Sequence, residues 1–259
     1  ITNGADIDSK DFIGMNALIH AINSKNIEIA KLLIEKGINI HSEDIFSKTA
    51  IFEASSCSQK EIVELLIEKG AKYNLFDLIK IGDFKKVKEL INQGDENFYN
   101  DNGSQALMSA IHKEEIEIIE FLIEKGADIN YKCESLGETQ LMILSNLTLA
   151  TSSSSKQKEI AQLLINKGAY LNVKSNIGMS ALMYAAGSGL LEVAELLINS
   201  QADIHSQDNE GWTPLSFAAF NSQVKILKLL IENGADINIK DKDGNTALTL
   251  AKEKGYKKI

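Results

Sequence analysis

Reaction chemistry needs imidazoles, thiols or paired carboxylates brought together. In this 259-residue chain the imidazoles are His20, His41, His112 and His205, and the thiols are Cys57 and Cys133. No H-x-x-x-H or C-x-x-C spacing links them, so the ligand pattern of a tetrahedral zinc site is missing. A nucleophile, a base and an orienting group would have to converge in one pocket, yet these residues fall in separate segments. His41 and His205 end the phrases "EKGINIH" and "NSQADIH", where sister phrases end in Asn74, Asn130, Asn172 and Asn238. That place suits a side chain that bonds to loop backbone, so both histidines are expected to substitute for asparagine. Cys57 has only Lys60 as a nearby cation and Cys133 lies in a hairpin arm, so neither stands out as a reactive thiolate. The stretch "DKDGN" at 241–245 suggests a calcium loop. Aligning its glycine with the sixth loop position puts Ile239 first and Leu250 twelfth, and neither can ligate calcium. No phosphate-cradling G-x-x-x-x-G-K-[ST] occurs. "NGS" (102–104) and "NLT" (146–148) are glycosylation acceptors only in a secreted chain. The reading is of no catalytic residue, no metal and no cofactor.

Bulk properties narrow the classes further. Hydrophobic residues make up 44% of the chain, enough for a packed core. Acidic residues number 36 against 27 basic ones, a net charge of −9. Phosphate backbones and anionic membranes call for a basic stripe, so neither is an expected partner. No apolar run approaches the ~18 residues of a membrane span, so no membrane insertion is expected. Two cysteines in different segments form no disulfide framework, which fits a cytoplasmic setting.

The elements that would position any site come from an internal repeat. The glycine of "EKGAD"-type phrases stands at 4, 37, 70, 94, 126 and 168, a Gln takes its place at 201, and it returns at 234. Four of the seven steps are 33 residues and one is 32. In each repeat a short apolar helix follows a residue able to cap it: Asn16, Thr49, Thr139, Ser180, Thr213 or Thr246, with Gln105 as a weaker substitute. The only proline, Pro214, falls at the first helical position, where a missing N–H is harmless. A longer helix such as "EIVELLIEKG" (61–70) has apolar residues at spacings of three and four and stops at the marker glycine. An extended piece and a D-x-x-G turn follow, with the turn glycine at 14, 103, 137, 178, 211 or 244 and Ser47 as the exception. Neither helix of such a pair can bury its apolar face alone, so neighbouring repeats must stack.

The phrases "DNEGWTPLSFAAF" (208–220), "DKDGNTALTLA" (241–251) and "NIGMSALMYAAGSGLLEVAELLI" (176–198) resemble the ankyrin repeat family. The family's D-x-x-G-x-T-P-L-H-x-A pattern fits best in the repeat from Ser206 to Asn238. Its histidine is missing throughout; Ser216, Thr249, Met183 and Ile19 stand in that place. The resemblance covers essentially the whole chain. It implies an all-α repeat solenoid of stacked helix-turn-helix units with short β-hairpin or loop fingers, about seven to eight units in one array over 1–259. The units are a partial tail 1–9, then 10–41, 42–74, a degenerate short unit 75–98, 99–130, 131–172 with a Ser-rich insertion at 146–157, 173–205, 206–238, and a partial unit 239–259. The short unit opens its first helix at once, so one finger should be missing. The serines of the insertion are expected in a flexible surface loop. Both ends look cut, as though the chain were part of a longer protein.

The family implies a concave face of finger tips and first helices that grips other proteins. Turn tips favour polar residues, so the apolar ones here are the candidate partner contacts: Phe12, Ile13, Met15, Ile45, Phe46, Ile177, Met179, Trp212 and Phe220. The expected role is a monomeric protein-interaction scaffold without activity of its own. The alternative is a targeting segment of a larger enzyme or of a host-directed bacterial effector, with the chemistry elsewhere.

Overall fold

A computed structural model of the chain describes residues 6–94, 98, 102–147 and 154–255. The first five residues with Gly4, Tyr99, Asp101, the middle of the Ser-rich insertion and the last four residues therefore lie outside the described residues. Among the described residues there are fifteen helices, and the only β pairing is two isolated bridges, Lys10 with Asn16 and Glu43 with Thr49. The chain divides into two compact units, Ile1–Asn100 and Asp101–Ile259.

The first unit holds α1 (Ala17–Asn23), α2 (Ile27–Glu35), α3 (Ala50–Ser56), α4 (Lys60–Glu68), α5 (Leu75–Lys80) and α6 (Phe84–Asn92). The short first helices form one layer, α1 on α3 on α5, and α2 packs on α4 behind them. Leu18, Ile19, Ile22, Ile62, Val63 and Leu66 lie fully buried between the layers. The second unit holds α7 (Asn102–Lys113), α8 (Ile116–Glu124), α9 (Gln140–Ser145), α10 (Ser154–Asn166), α11 (Ala181–Ser188), α12 (Leu191–Asn199), α13 (Pro214–Phe220), α14 (Val224–Glu232) and α15 (Ala247–Glu253). Here α7, α9, α11, α13 and α15 stack in sequence, and α10, α12 and α14 form the outer layer.

Local signals in the sequence set most of the helix starts. Asn16, Thr49, Ser180, Thr213 and Thr246 each accept a bond from a backbone N–H three residues on, at Ile19, Phe52, Met183, Ser216 and Thr249. Such a cap contributes about 1 kcal/mol. Asn74 caps α5 directly and Asp77 bonds back to it, so this helix begins at Leu75 with no turn before it. Gln201 and Ser47, at places where other repeats carry glycine, still adopt positive φ of 68° and 58°.

Five local expectations fail. Thr139 makes no capping bond, and its hydroxyl is buried without a partner. Gln105 does not cap a helix, because α7 already begins at Asn102. For the same reason Gly103 is helical rather than the pivot of a turn. Gly103 and Ser104 are buried, and the Ser104 hydroxyl takes the Asp128 N–H at 3.1 Å. Ser154 and Ser155 belong to α10 instead of a loop. The helix is anchored there by Gln157, which is buried and donates to the Leu147 carbonyl at 2.8 Å. His41 and His205 are exposed, and neither ring makes the backbone bond expected of it. Asn130 makes that bond twice, donating to the Gly168 carbonyl and accepting from the Tyr170 N–H. An amide carries donor and acceptor on one carbon, whereas the two imidazole nitrogens diverge and cannot bridge the same pair.

Candidate protein-binding surface

The surface is built from fingers, each closed by its first residue. The Asp11 carboxylate accepts the N–H groups of Ile13 and Met15 at 3.0 and 2.9 Å. Asp44 does the same for Phe46 and Lys48, Asp208 for Glu210 and Trp212, and Asp241 for Asp243 and Asn245. Ser175 plays a weaker version for Met179, and Cys133 for Glu138. Each finger then leans on the next. The Ile45 N–H donates to the Ile13 carbonyl in the first unit. In the second unit Asn176 donates to Leu136, Asn209 to Ile177 and Lys242 to Glu210. Lysine side chains add a second rung: Lys10 Nζ reaches the Glu43 carbonyl, Lys132 that of Lys174, and Lys174 that of Gln207.

This stacking explains the turn glycines. A Cβ on Gly178 would lie 2.5 Å from the Asn209 nitrogen, and one on Gly211 would lie 3.0 Å from Asp241 Cα. Gly244 has nothing within 4 Å. Ser47 turns the finger that precedes the fingerless repeat, and its side chain is exposed.

The candidate residues divide into open and packed. Phe12 is 94% exposed, Ile45 62% and Phe46 68%, and Ile177 is also exposed. Ile13, Met15, Met179, Trp212 and Phe220 are half-buried. Met15 packs against the core of the first unit. Trp212 meets Phe217 at 5.2 Å and Phe220 at 5.0 Å between ring centroids, tilted in the first case and edge-on in the second. The Lys254 ammonium lies 4.1 Å from the Phe220 ring centre. Phe217 escaped the sequence reading, although it stands three residues before Phe220 on one helix and so shares its face.

Phe52 on α3 also escaped it. It is 36% exposed, with Lys48 Nζ at 5.6 Å and Lys80 Nζ at 4.3 Å from its ring centre. The Lys48 ammonium is paired with Glu53 at 3.3 Å. The Lys80 ammonium bonds the Ser56 hydroxyl at 3.1 Å and has no carboxylate beside it among the described residues. Lys48 is visible from its spacing to Phe52. Lys80 comes from the next repeat, and nothing local announces it.

Two carboxyls of the first unit have displaced acidities. Desolvation pushes the Asp11 carboxyl up, but the Met15 N–H, the His20 imidazole at 2.8 Å and the Ile13 N–H outweigh it and hold it below the usual value. At Asp83, which caps α6, desolvation is likewise outweighed, here by the Lys86 ammonium and N–H, so that carboxyl is also lowered. In the second unit burial, followed by the Glu138 carboxylate, pushes the Tyr184 phenol up. Among the described residues no group of three or more His, Cys, Asp or Glu side chains could hold a metal ion. No helix among them is long and apolar enough to cross a membrane.

Two-layer helix stacking with laddered fingers defines a class of solenoid, and sequence comparison agrees with it. A profile of ankyrin repeats in three copies matches residues 1–77, 78–175, 147–241 and 189–259. The chain belongs to the ankyrin repeat family. It is similar to an ankyrin repeat and SAM domain-containing protein 6 of Rattus norvegicus, 29% identical over 110 residues. It is also similar to the ankyrin repeat and KH domain-containing protein mask-1 of Caenorhabditis elegans, 32% identical over 116 residues. These matches take in 42% and 43% of this chain but only 12% and 4% of the two relatives. Ankyrin repeats are in general modules of protein–protein interaction.

Proposed function

We propose that this chain is a protein-interaction scaffold that holds a partner on its finger tips and on the exposed side of its first helices. The observation that carries the reading is the open row of Phe12, Ile45 and Phe46 at tips otherwise suited to polar residues. The aspartate-closed turns and the finger ladder hold those side chains in place before binding, which lowers the ordering cost of association. In the second unit Ile177 and the Trp212 cluster provide a smaller, better packed set of contacts. Affinity capture with mass spectrometry, using the chain and a Phe12→Ala, Phe46→Ala, Trp212→Ala variant, tests this. The expected outcome is a partner retained by the first and lost by the second, with helicity kept. A partner held equally by both would remove these tips from the surface.

A second reading makes the array the targeting segment of a larger protein whose other activities lie elsewhere. The small share that the matched repeats make up in both relatives favours it. It leaves the proposed surface unchanged.

A further inference from the structure

The second finger ends the ladder of the first unit, and a cleft of about 410 Å³ opens at its base. One wall is Ile40, Glu43 and Thr49; the others are Ile51 on α3 and Ala71 and Lys72 after α4. Three lining residues, His41, Thr49 and Ile51, stand 33 positions after Asp8, Asn16 and Leu18. In that earlier repeat Asn39 is tied on both sides. Its N–H donates to the Asp8 carboxylate at 2.7 Å, and its carbonyl accepts from the Asn16 amide at 3.2 Å. Leu18 beside them is fully buried. Lys72 is the counterpart of Asn39 and makes neither bond, because His41 has replaced the acceptor and Thr49 the amide. The Thr49 hydroxyl is committed to the Phe52 N–H.

Two backbone groups are left open along this edge. The Lys72 N–H has no acceptor among the described residues. The Phe46 carbonyl stands where those of Ile13, Ile177 and Glu210 accept an N–H from the next finger, and no N–H reaches it among the described residues. A free donor at the base and a free acceptor at the tip call for an occupant whose own backbone is unpaired. A helix has used its N–H and C=O groups internally, whereas an extended segment offers both. Glu43 to Phe46 is three steps of about 3.3 Å, so a segment of four or five residues spans the edge. Between Ile40, Ile51 and Ala71 the cleft is apolar and suits one aliphatic side chain. Charge does not decide the choice, since Glu43 and Lys72 both line the mouth and offset each other. A finger of a second copy fits less well. A Cβ at the turn glycine would come within 3.2 Å of the next finger at Gly14 and 3.0 Å at Gly211, and Ser47 carries such a Cβ. A separate segment, not held in register by a helix pair, can shift to clear it.

We infer that the open edge of the second finger receives an extended segment of a partner protein, which continues the finger ladder where this chain has no third finger. The segment's backbone bonds the Phe46 carbonyl and the Lys72 N–H, and one of its aliphatic side chains enters the cleft between Ile40, Ile51 and Ala71. The inference deepens the proposed scaffold function and rests on it.

The test is selection of random displayed peptides on the immobilised full chain. The selected peptides are then measured with single N-methyl groups along their backbone and against variants of the chain. An extended occupant should lose about tenfold in affinity at alternate backbone positions, and one aliphatic side chain should dominate its alanine scan. Lys72→Trp fills the mouth of the cleft from an exposed position and should cost about tenfold or more, while Lys72→Ala should leave binding as it was. Thermal unfolding of each variant shows that the fold is intact. Peptides without the alternating pattern, or indifferent to Lys72→Trp, would overturn the inference. If such peptides are lost on Phe12→Ala with Phe46→Ala, the tip surface stands and only the edge falls. If they depend on neither, or if no peptide is selected, both readings fall. Concentration-dependent association of the chain alone, abolished by Lys72→Trp, would make a second copy the occupant and likewise overturn it.

Discussion

The fingers of the two units follow one design and end differently. In the second unit four fingers, from Cys133 to Asn245, lean on each other in an unbroken ladder, and the aromatic residues nearby fold together as Trp212, Phe217 and Phe220. In the first unit the ladder stops after the second finger, because Asn74 starts α5 at once. There the tips stay open, glycine gives way to Ser47, and a cleft remains. The same local motif thus carries open apolar tips in one unit and a packed cluster of rings in the other.

The largest expected effect tests whether stacking is what demands glycine. Gly178→Ala would combine positive φ with a Cβ 2.5 Å from the Asn209 nitrogen, whereas Gly244→Ala meets only the backbone strain at φ +83°. Destabilisation of about 3 kcal/mol or more is expected for the first and about 1 kcal/mol for the second. Urea unfolding followed by fluorescence is well suited to this, since Trp212 is the only tryptophan and reports on the second unit. Equal losses would show that strain alone sets the glycines.

The next comparison separates packed from open aromatics. Trp212→Ala should cost about 1–2 kcal/mol through lost ring contacts with Phe217 and Phe220. Phe46→Ala should stay within about 0.5 kcal/mol, as surface changes do. Circular dichroism during urea unfolding reads both. A costly Phe46→Ala would mean that the first-unit tips are packed after all.

Relief of strain should give a gain of similar size. Ser47→Gly and Gln201→Gly each remove a left-handed non-glycine residue, at φ 58° and 68°, and should stabilise by about 1 kcal/mol. The tryptophan signal reads the change at 201, in the unit that holds Trp212, and circular dichroism reads the change at 47.

The smallest effect is in acid. Folding lowers the carboxyls of Asp11 and Asp83, so their contribution is present above the ordinary carboxylate pKa of about 3.9 and is lost as pH falls through their folded values. Asp83→Asn keeps a good helix cap but removes one titrating group. Its urea midpoint should therefore change less between neutral and acidic pH than that of the unaltered chain. An unchanged pH dependence would remove Asp83 from the account.

How much of this was legible in the sequence depends on the range of each cause. A cap acts on an N–H three residues away, and a marker glycine ends the helix it follows, so Asn16, Thr213 and the 33-residue period could be read directly. The missing finger was equally visible, since no D-x-x-G precedes Leu75. Gly103 and Thr139 misled because their local motifs did not set the structure: α7 already begins at Asn102 and runs through Gly103, and Thr139 is buried without its capping bond.

The sequence by itself determined that helix pairs recur, where most begin and stop, and that the chain is an ankyrin array, because those signals act within a few residues. Only the tertiary structure decided which tips stay open and which rings fold together, why glycine is required at Gly178 and dispensable at Ser47, and that Lys80 reaches Phe52. The glycine and Lys80 contacts depend on neighbours roughly one repeat away, and the ring cluster on how the finger folds back over its own helix, so stacking and packing settle them and not the residues immediately beside them.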